Sequence, residues 1–255
     1  MIDIHAHLAF PEFDKDREKV VRQAKKEGMS AVIVSSARYE EGLEALKLAE
    51  KYPGFIFVTL GHHPTEGDHK GKGYNDVIQL IRDNIDSICG IGEVGLDFHH
   101  EHDAEKHKKQ KKVFQKFINL AKELKKPLVI HSWDAEKECY ETVKGSGLTC
   151  VFHCYSGSKD LAEEIIKQKN FYISISTGIM FSKQLRKVAK LVPMNRILLE
   201  TDAPFLDPDR ERKRNVPWNI KLSAEKIAKE RKCSSEEILK TTEKNAIRVF
   251  GLGLK

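Results

Sequence analysis

The chain has no long hydrophobic run. Hydrophobic residues make up 40% of its 255 positions, yet no stretch approaches the roughly 20 consecutive apolar residues that a membrane-spanning helix needs. The amino terminus shows no basic-then-apolar leader pattern. A soluble cytoplasmic protein with no membrane partner is therefore expected. Cysteine is sparse and scattered: Cys89, Cys139, Cys150, Cys154 and Cys233 are odd in number and form no C-x-x-C pair. That argues against a disulfide framework and for a reducing compartment. Charge of one sign is not in large excess, since 44 Lys and Arg against 38 Asp and Glu leave +6, which permits a nucleic-acid partner without demanding one. Linkers and low-complexity tracts are also missing, so residues 1–255 read as one domain.

Short β-branched runs alternate with amphipathic stretches almost to the end of the chain. Expected strands are Ile2–His7, Ala31–Ser35, Phe55–Leu60, Ser87–Glu93, Pro127–His131, Thr149–His153, Phe171–Ser176 and Arg196–Asp202. The clearest helix spans Ala104–Lys125, where Phe114, Phe117, Ile118, Ala121 and Leu124 form one apolar stripe and lysines cover the rest. Eight strands, each followed by a helix, is the count of an α/β protein of the (β/α)8 TIM-barrel type. An open doubly wound sheet shares the alternation, but no Gly-x-Gly-x-x-Gly follows the first strand.

His5 and His7 lie two apart in the first strand and therefore face one side, with Ile2 and Ile4 expected on the other. Glu93, His131, His153 and Asp202 end later strands. A barrel brings all such ends to one mouth, where active sites of this fold are built. Four imidazoles and two carboxylates there suit two divalent ions, with Glu93 placed to bridge them. Singly, each residue has a plainer reading: a core histidine, a helix cap at Glu93, a turn at Thr201-Asp-Ala-Pro204. Six together at strand ends are not explained by turn chemistry.

The ordered motifs resemble the TatD family of metal-dependent hydrolases, most of whose characterised members are deoxyribonucleases. The resemblance runs from Ile2 to about Leu252. It is carried by Asp3-Ile-His-Ala-His7, Gly61-His-His-Pro64, Gly92-Glu-Val-Gly-Leu-Asp97, Ile130-His-Ser132, His153-Cys-Tyr-Ser-Gly-Ser158, Leu199-Glu-Thr-Asp-Ala-Pro204, Lys213-Arg-Asn215 with Pro217, and Thr242-Glu-Lys-Asn245. It implies a two-metal site in which His5, His7, Glu93 and Asp202 hold one ion and Glu93, His131 and His153 the other. Asp202 would orient the attacking water and take its proton, and His63 would face the substrate phosphate. The implied activity is a DNase trimming single strands from the 3′ end. The metal is Mg²⁺, Mn²⁺ or Zn²⁺ by donor type, and the oligomeric state is left open, compatible with a monomer.

Two departures from the family stand out. The usual Arg-Gly-Lys-Arg-Asn-Glu-Pro reads Glu211-Arg-Lys-Arg-Asn-Val-Pro217, and Phe117 replaces a frequent Gln. Arg210, Arg212, Lys213 and Arg214 still form a basic run in the loop after strand eight, suited to a phosphodiester backbone. His62 reads as surface, and His99-His-Glu-His102 as a solvated loop in which His99 and His100, with Asp97, are candidate substrate contacts. Alternation points Cys150 and Cys154 away from His153, towards outer helices. Phe98, Tyr155, Phe181, Phe205 and Trp218 are candidates for stacking bases. Two other functions compete: hydrolysis of a small-molecule amide or ester at the same metals, and a non-catalytic metal-binding or quality-control role. Relatives of the former kind often place a carboxylated lysine where Glu93 stands.

Overall fold

A computed structural model describes residues 1–67, 71–209, 211 and 214–254. The strands are β1 (Ile2–Ala6), β2 (Ala31–Ser35), β3 (Ile56–Leu60), β4 (Gly90–Asp97), β5 (Leu128–Trp133), β6 (Cys150–Phe152), β7 (Phe171–Ile175) and β8 (Ile197–Leu199). Between them run α1 (Arg17–Lys26), α2 (Tyr39–Lys51), α3 (Tyr74–Asp83), α4 (Ala104–Leu124), α5 (Glu136–Val143), α6 (Lys159–Lys167) and α7 (Lys183–Leu191), with α8 (Ile220–Arg231) and α9 (Ser235–Phe250) at the end. The strands are parallel and ordered β1 to β8. The two outer strands then meet: Ala6 bridges Ala203, the His7 N–H donates to the Ala203 carbonyl at 2.7 Å, and the Asp202 N–H donates to the His5 carbonyl at 3.0 Å. The fold is the expected (β/α)8 barrel.

Strand alternation sorts the apolar residues into two cores. Val32 and Val34 of β2 pack outward with Val20, Val21 and Leu46 of the helices, while Ala31 and Ile33 join Val129, Val151 and Leu198 in the bore. Both faces of each strand are thus buried, which is why the strands read as nearly continuous β-branched runs. Ala246, Val249, Phe250 and Leu252, from α9 and just beyond it, join the bore cluster beside Ile2 and close its lower end. Polar chemistry is left to the upper end.

Two bulges set the site. In β1, Asp3 pairs with Val32 and Ala6 with Val34, so Ile4 and His5 together oppose Ile33. Ile2 and Ile4 therefore lie in the bore beneath the histidines, not on the opposite face as simple alternation suggests. In β4, Ile91 pairs with Leu128 and Val94 with Ile130, so Gly92 and Glu93 share Val129. Gly92 has φ +151, and a Cβ there would sit 2.6 Å from the Val129 Cβ, so only glycine fits this crossing. β4 also starts three residues later than expected and runs on past Glu93 to Asp97. β6 and β8 are short, which leaves His153 and Asp202 just past their strands.

The Asp103 carboxylate caps α4 by accepting from the N–H groups of Glu105 and Lys106 at 2.9 Å each. Phe114, Phe117, Ile118 and Ala121 of α4 are buried against the barrel. Phe117 is fully enclosed, a burial worth about 2–3 kcal/mol. No helix among the described residues is long and apolar enough to cross a membrane.

Candidate metal centre

Five side chains converge on Glu93 at the upper mouth. On one side, His7 Nε2 lies 3.4 Å from Glu93 Oε1 and 3.2 Å from Asp202 Oδ1, and His5 Nε2 lies 3.7 and 3.8 Å from the same two carboxylates. On the other, His153 Nε2 and His131 Nδ1 lie 3.0 and 3.5 Å from Glu93 Oε2. His5, His7 and Glu93 form one compact group of metal-type donors and Glu93, His131 and His153 another, with Glu93 common to both. The sequence-derived set is brought together entire.

The outer hydrogen bonds decide where His7 and His131 carry their protons. His7 Nδ1 lies 3.2 Å from the Ser35 carbonyl, which can only accept. That nitrogen must therefore be the donor, and Nε2 turns its lone pair inward. His131 Nε2 donates to the Asp97 carboxylate at 3.1 Å, which leaves Nδ1 as the inward lone pair. His153 Nδ1 lies 3.5 Å from Glu200 Oε1, and His5 Nδ1 lies 3.2 Å from the Ser35 hydroxyl. Neutral imidazoles here aim lone pairs at one another and at carboxylate oxygens; His5 and His7 face each other with Nε2 atoms 3.2 Å apart. Such a set needs positive charge at its centre, which is what divalent cations provide.

Without cations, protons do that work. Burial opposes charge on His7, but its hydrogen bond to Asp202 and the nearby Glu93 charge lift it above the ordinary range. His131 is raised against the same burial by Asp97 and Glu93, and His153 is raised well above the ordinary value by Glu200 and Glu93. Burial and the neighbouring His153 hold His5 down. Burial alone would lift Glu93, yet His63 and hydrogen bonds from His131, His153 and His5 pull it well below the usual carboxylate range.

A cavity of about 730 Å³ opens above the cluster, lined in part by His7, His63, Glu93, Asp97, His131, His153 and Asp202. His63 accepts at Nδ1 from the Thr65 N–H at 3.3 Å, so its Nε2 carries the proton. Burial and His131, whose ring centroid is 4.2 Å away, lower its pKa to about 3. Arg214 is elsewhere: its guanidinium pairs with both Asp16 carboxylate oxygens at 2.7 Å and lies 4.4 Å from the Phe13 ring centroid. Arg212 and Lys213, like Arg210, lie outside the described residues.

Three readings from sequence change. His62 is buried, with its ring near Tyr74. Cys154 leaves β6 at φ +43, so alternation stops applying. It faces the cavity, with its thiol 3.5 Å from the Ser176 hydroxyl, whereas Cys150 packs outward as expected. Among the stacking candidates, Phe98 packs on His107, Tyr155 is buried with its hydroxyl donating to the Ser158 carbonyl, and Trp218 joins the outer core. Phe181 and Phe205 line the cavity, and so does part of Tyr155. Sequence reasoning missed Glu200 and Trp133. Glu200 stands two residues before Asp202, a spacing that should have flagged it.

An upper barrel mouth that gathers imidazoles around a central carboxylate is the architecture of barrel hydrolases that work with divalent cations. The family model described as TatD related DNase matches residues 2–251, and the chain belongs to that family. It is 37% identical over 249 residues to a Methanocaldococcus jannaschii protein named an uncharacterized metal-dependent hydrolase, covering 98% of this chain and 96% of that one. It is 34% identical to a human deoxyribonuclease, with 98% and 94% covered. A Pectobacterium atrosepticum protein named a 3′-5′ ssDNA/RNA exonuclease is 31% identical, with 99% and 100% covered. A crystal structure of a TatD homolog from Escherichia coli k12 superposes with a TM-score of 0.90 at 26% identity, over 98% of each chain.

Proposed function

We propose that this chain is a metal-dependent nuclease that hydrolyses phosphodiester bonds of single-stranded DNA from the 3′ end, in a reducing cytoplasm that suits its five free cysteines. The observation that carries this reading is Glu93, which lies within 3.7 Å of four imidazoles, with Oε1 towards His7 and Oε2 towards His5, His131 and His153. His5, His7, Glu93 and Asp202 would hold one divalent cation, and Glu93, His131 and His153 a second. Bound there, the cations supply Lewis acidity that lowers the pKa of water and offsets charge on a phosphoryl group.

The chain's own groups do the rest. Asp202, held ionised by His7 against the effect of burial, takes the proton of the attacking water at Oδ1. His63, neutral with its proton on Nε2, donates to a phosphate oxygen at the cavity wall. Asp97 and Glu200 fix the rings of His131 and His153. Glu93 in place of a lysine at β4 supports this reading over amide hydrolysis.

The test is turnover of end-labelled single-stranded DNA with Mg²⁺ or Mn²⁺, comparing wild type with Glu93→Gln and Asp202→Asn. Stepwise, metal-dependent loss of nucleotides that both variants abolish is the expected result. A metal-loaded protein that leaves DNA intact would overturn the reading and direct the search to small esters and amides.

A further inference from the structure

The cavity carries more apolar surface than the ligand chemistry needs. Among the described residues three large hydrophobic side chains are exposed, Leu43, Trp133 and Phe205, and the last two line this one cavity at 40% and 48% exposure. Exposed aromatics gathered at one concave site mark a binding surface rather than scatter. Trp133 ends β5. Phe205 follows β8, beside His7 at 6.0 Å between ring centroids, and Phe10 meets it edge-on at 6.1 Å. Phe205 stands on the β1 and β8 side of the cluster and Trp133 at the end of β5, and both line the cavity above it.

Trp133 is also held in place. His99 stacks on the indole at 4.2 Å with planes 9° apart, and the His99 Nδ1 pairs with Asp134 Oδ2 at 2.9 Å. His100 meets the indole at 4.9 Å and 86° and stands 5.1 Å from His99. Its own Nδ1 is 2.9 Å from Asp97 Oδ2. A triangle with these sides keeps His100 off the face opposite His99, because rings on opposite faces would be separated by nearly the sum of their distances to the indole. Among the described residues no ring stacks on the face turned from His99, and Trp133 is exposed.

We infer that the free face of Trp133 stacks the nucleobase on one side of the scissile phosphodiester, and that Phe205 receives the base on the other side. The inference rests on the nuclease reading and adds what the site recognises: a single-stranded dinucleotide step with its two bases turned apart. Bases in a duplex are already stacked on their neighbours and cannot be parted onto two walls without unpairing. Stacking on an aromatic face tolerates any base, so the preference is for unpaired strands and not for sequence.

The experiment pairs altered protein with altered substrate. Wild type, Trp133→Ala, Trp133→Phe and Phe205→Ala, each checked for metal content, are assayed on a single strand carrying normal bases or one abasic residue next to the scissile bond. Trp133→Ala should raise KM about tenfold with kcat changed about twofold or less, and Trp133→Phe should recover most of the loss. The preference of wild type for the intact over the abasic strand should collapse towards one in Trp133→Ala at one flanking position, and in Phe205→Ala at the other. An unchanged KM in Trp133→Ala, or a preference for the intact strand that survives both substitutions, would overturn the inference. A second readout separates it from the nuclease reading: quenching of a 2-aminopurine base in a short strand bound to metal-loaded Asp202→Asn protein. Quenching lost with Trp133→Ala but no cleavage by wild type would remove the hydrolysis and keep the stacking. Cleavage with quenching untouched by Trp133→Ala would do the reverse.

Discussion

The two sides of Glu93 hold similar ligands but are built differently behind them. On the β1 and β8 side, His5 and His7 rest on the Ser35 hydroxyl and carbonyl, which are uncharged, and a carboxylate, Asp202, stands in the cluster itself. On the β5 and β6 side Glu93 is the one carboxylate among the described residues grouped with His131 and His153, and the carboxylates of Asp97 and Glu200 back the two imidazoles. One side places its negative charge inside the cluster; the other places it where it would raise the basicity of the imidazoles. On the proposed reading the first side would take the proton of the attacking water and the second would retain its cation more tightly.

Removing the shared residue should erase the contrast. Glu93→Gln is expected to lower turnover by about 10³-fold or more and to reduce bound metal on both sides, read by elemental analysis beside the activity assay. Asp202→Asn should cost about 10²- to 10⁴-fold in kcat while the β5 and β6 side keeps its cation. Loss of all metal from that variant would break the assignment. Next, Asp97→Asn should weaken metal affinity about 10- to 100-fold, whereas Ser35→Ala should cost less, both measured by competition with a chelating dye. Equal losses would mean that the backing charge does not matter.

Acidity sharpens the same contrast. His7, His131 and His153 have raised values in the fold, so without metal the stability they add is full below their unfolded value of about 6.5 and is lost as pH rises through the folded values. Glu93 and Asp202 are lowered, so their contribution is present above about pH 4 and is lost as pH falls through the folded values. His5 and His63, both held down, oppose the other histidines below about 6.5. Metal-free protein should therefore be most stable at mildly acidic pH, and the rise in Tm on adding divalent metal should be larger at pH 8 than at pH 6. The smallest effect concerns Arg214: its partly exposed pairing with Asp16 predicts that Arg214→Ala costs about 0.5–1 kcal/mol of stability with KM unchanged. A raised KM would place this side chain on the substrate instead.

The barrel and the gathering of metal-type donors at its mouth are legible because strand periodicity and strand ends carry their own signals. His131 reaches the mouth because every second residue of β5 faces the bore, and the eight apolar runs sit in the order in which the strands pair. What alternation could not show were its local failures. The bulge that puts Ile4 and His5 on one side, and the turn at Cys154, depend on neighbouring strands rather than on local composition. The extension of β4 to Asp97 rests on Gly95, where a Cβ would collide with the His131 carbonyl; that constraint belongs to β5 and leaves no mark beside Gly95. Trp133 was passed over because a tryptophan at a strand end reads as core until its free face is seen.

The seam of the barrel has a consequence for the life of the chain. Asp3 accepts from the Thr201 hydroxyl at 2.5 Å and from its N–H at 3.1 Å, in the same place where His7 meets Ala203. Asp202 follows His7 by 195 residues, so a ribosome makes it long after His5 and His7. The β1 and β8 side of the cluster thus stays incomplete while the intervening residues are made. On the proposed reading, full cation capture there would report that the last strand has docked on the first, and the emerging polypeptide would be spared a working nuclease centre until its barrel had closed.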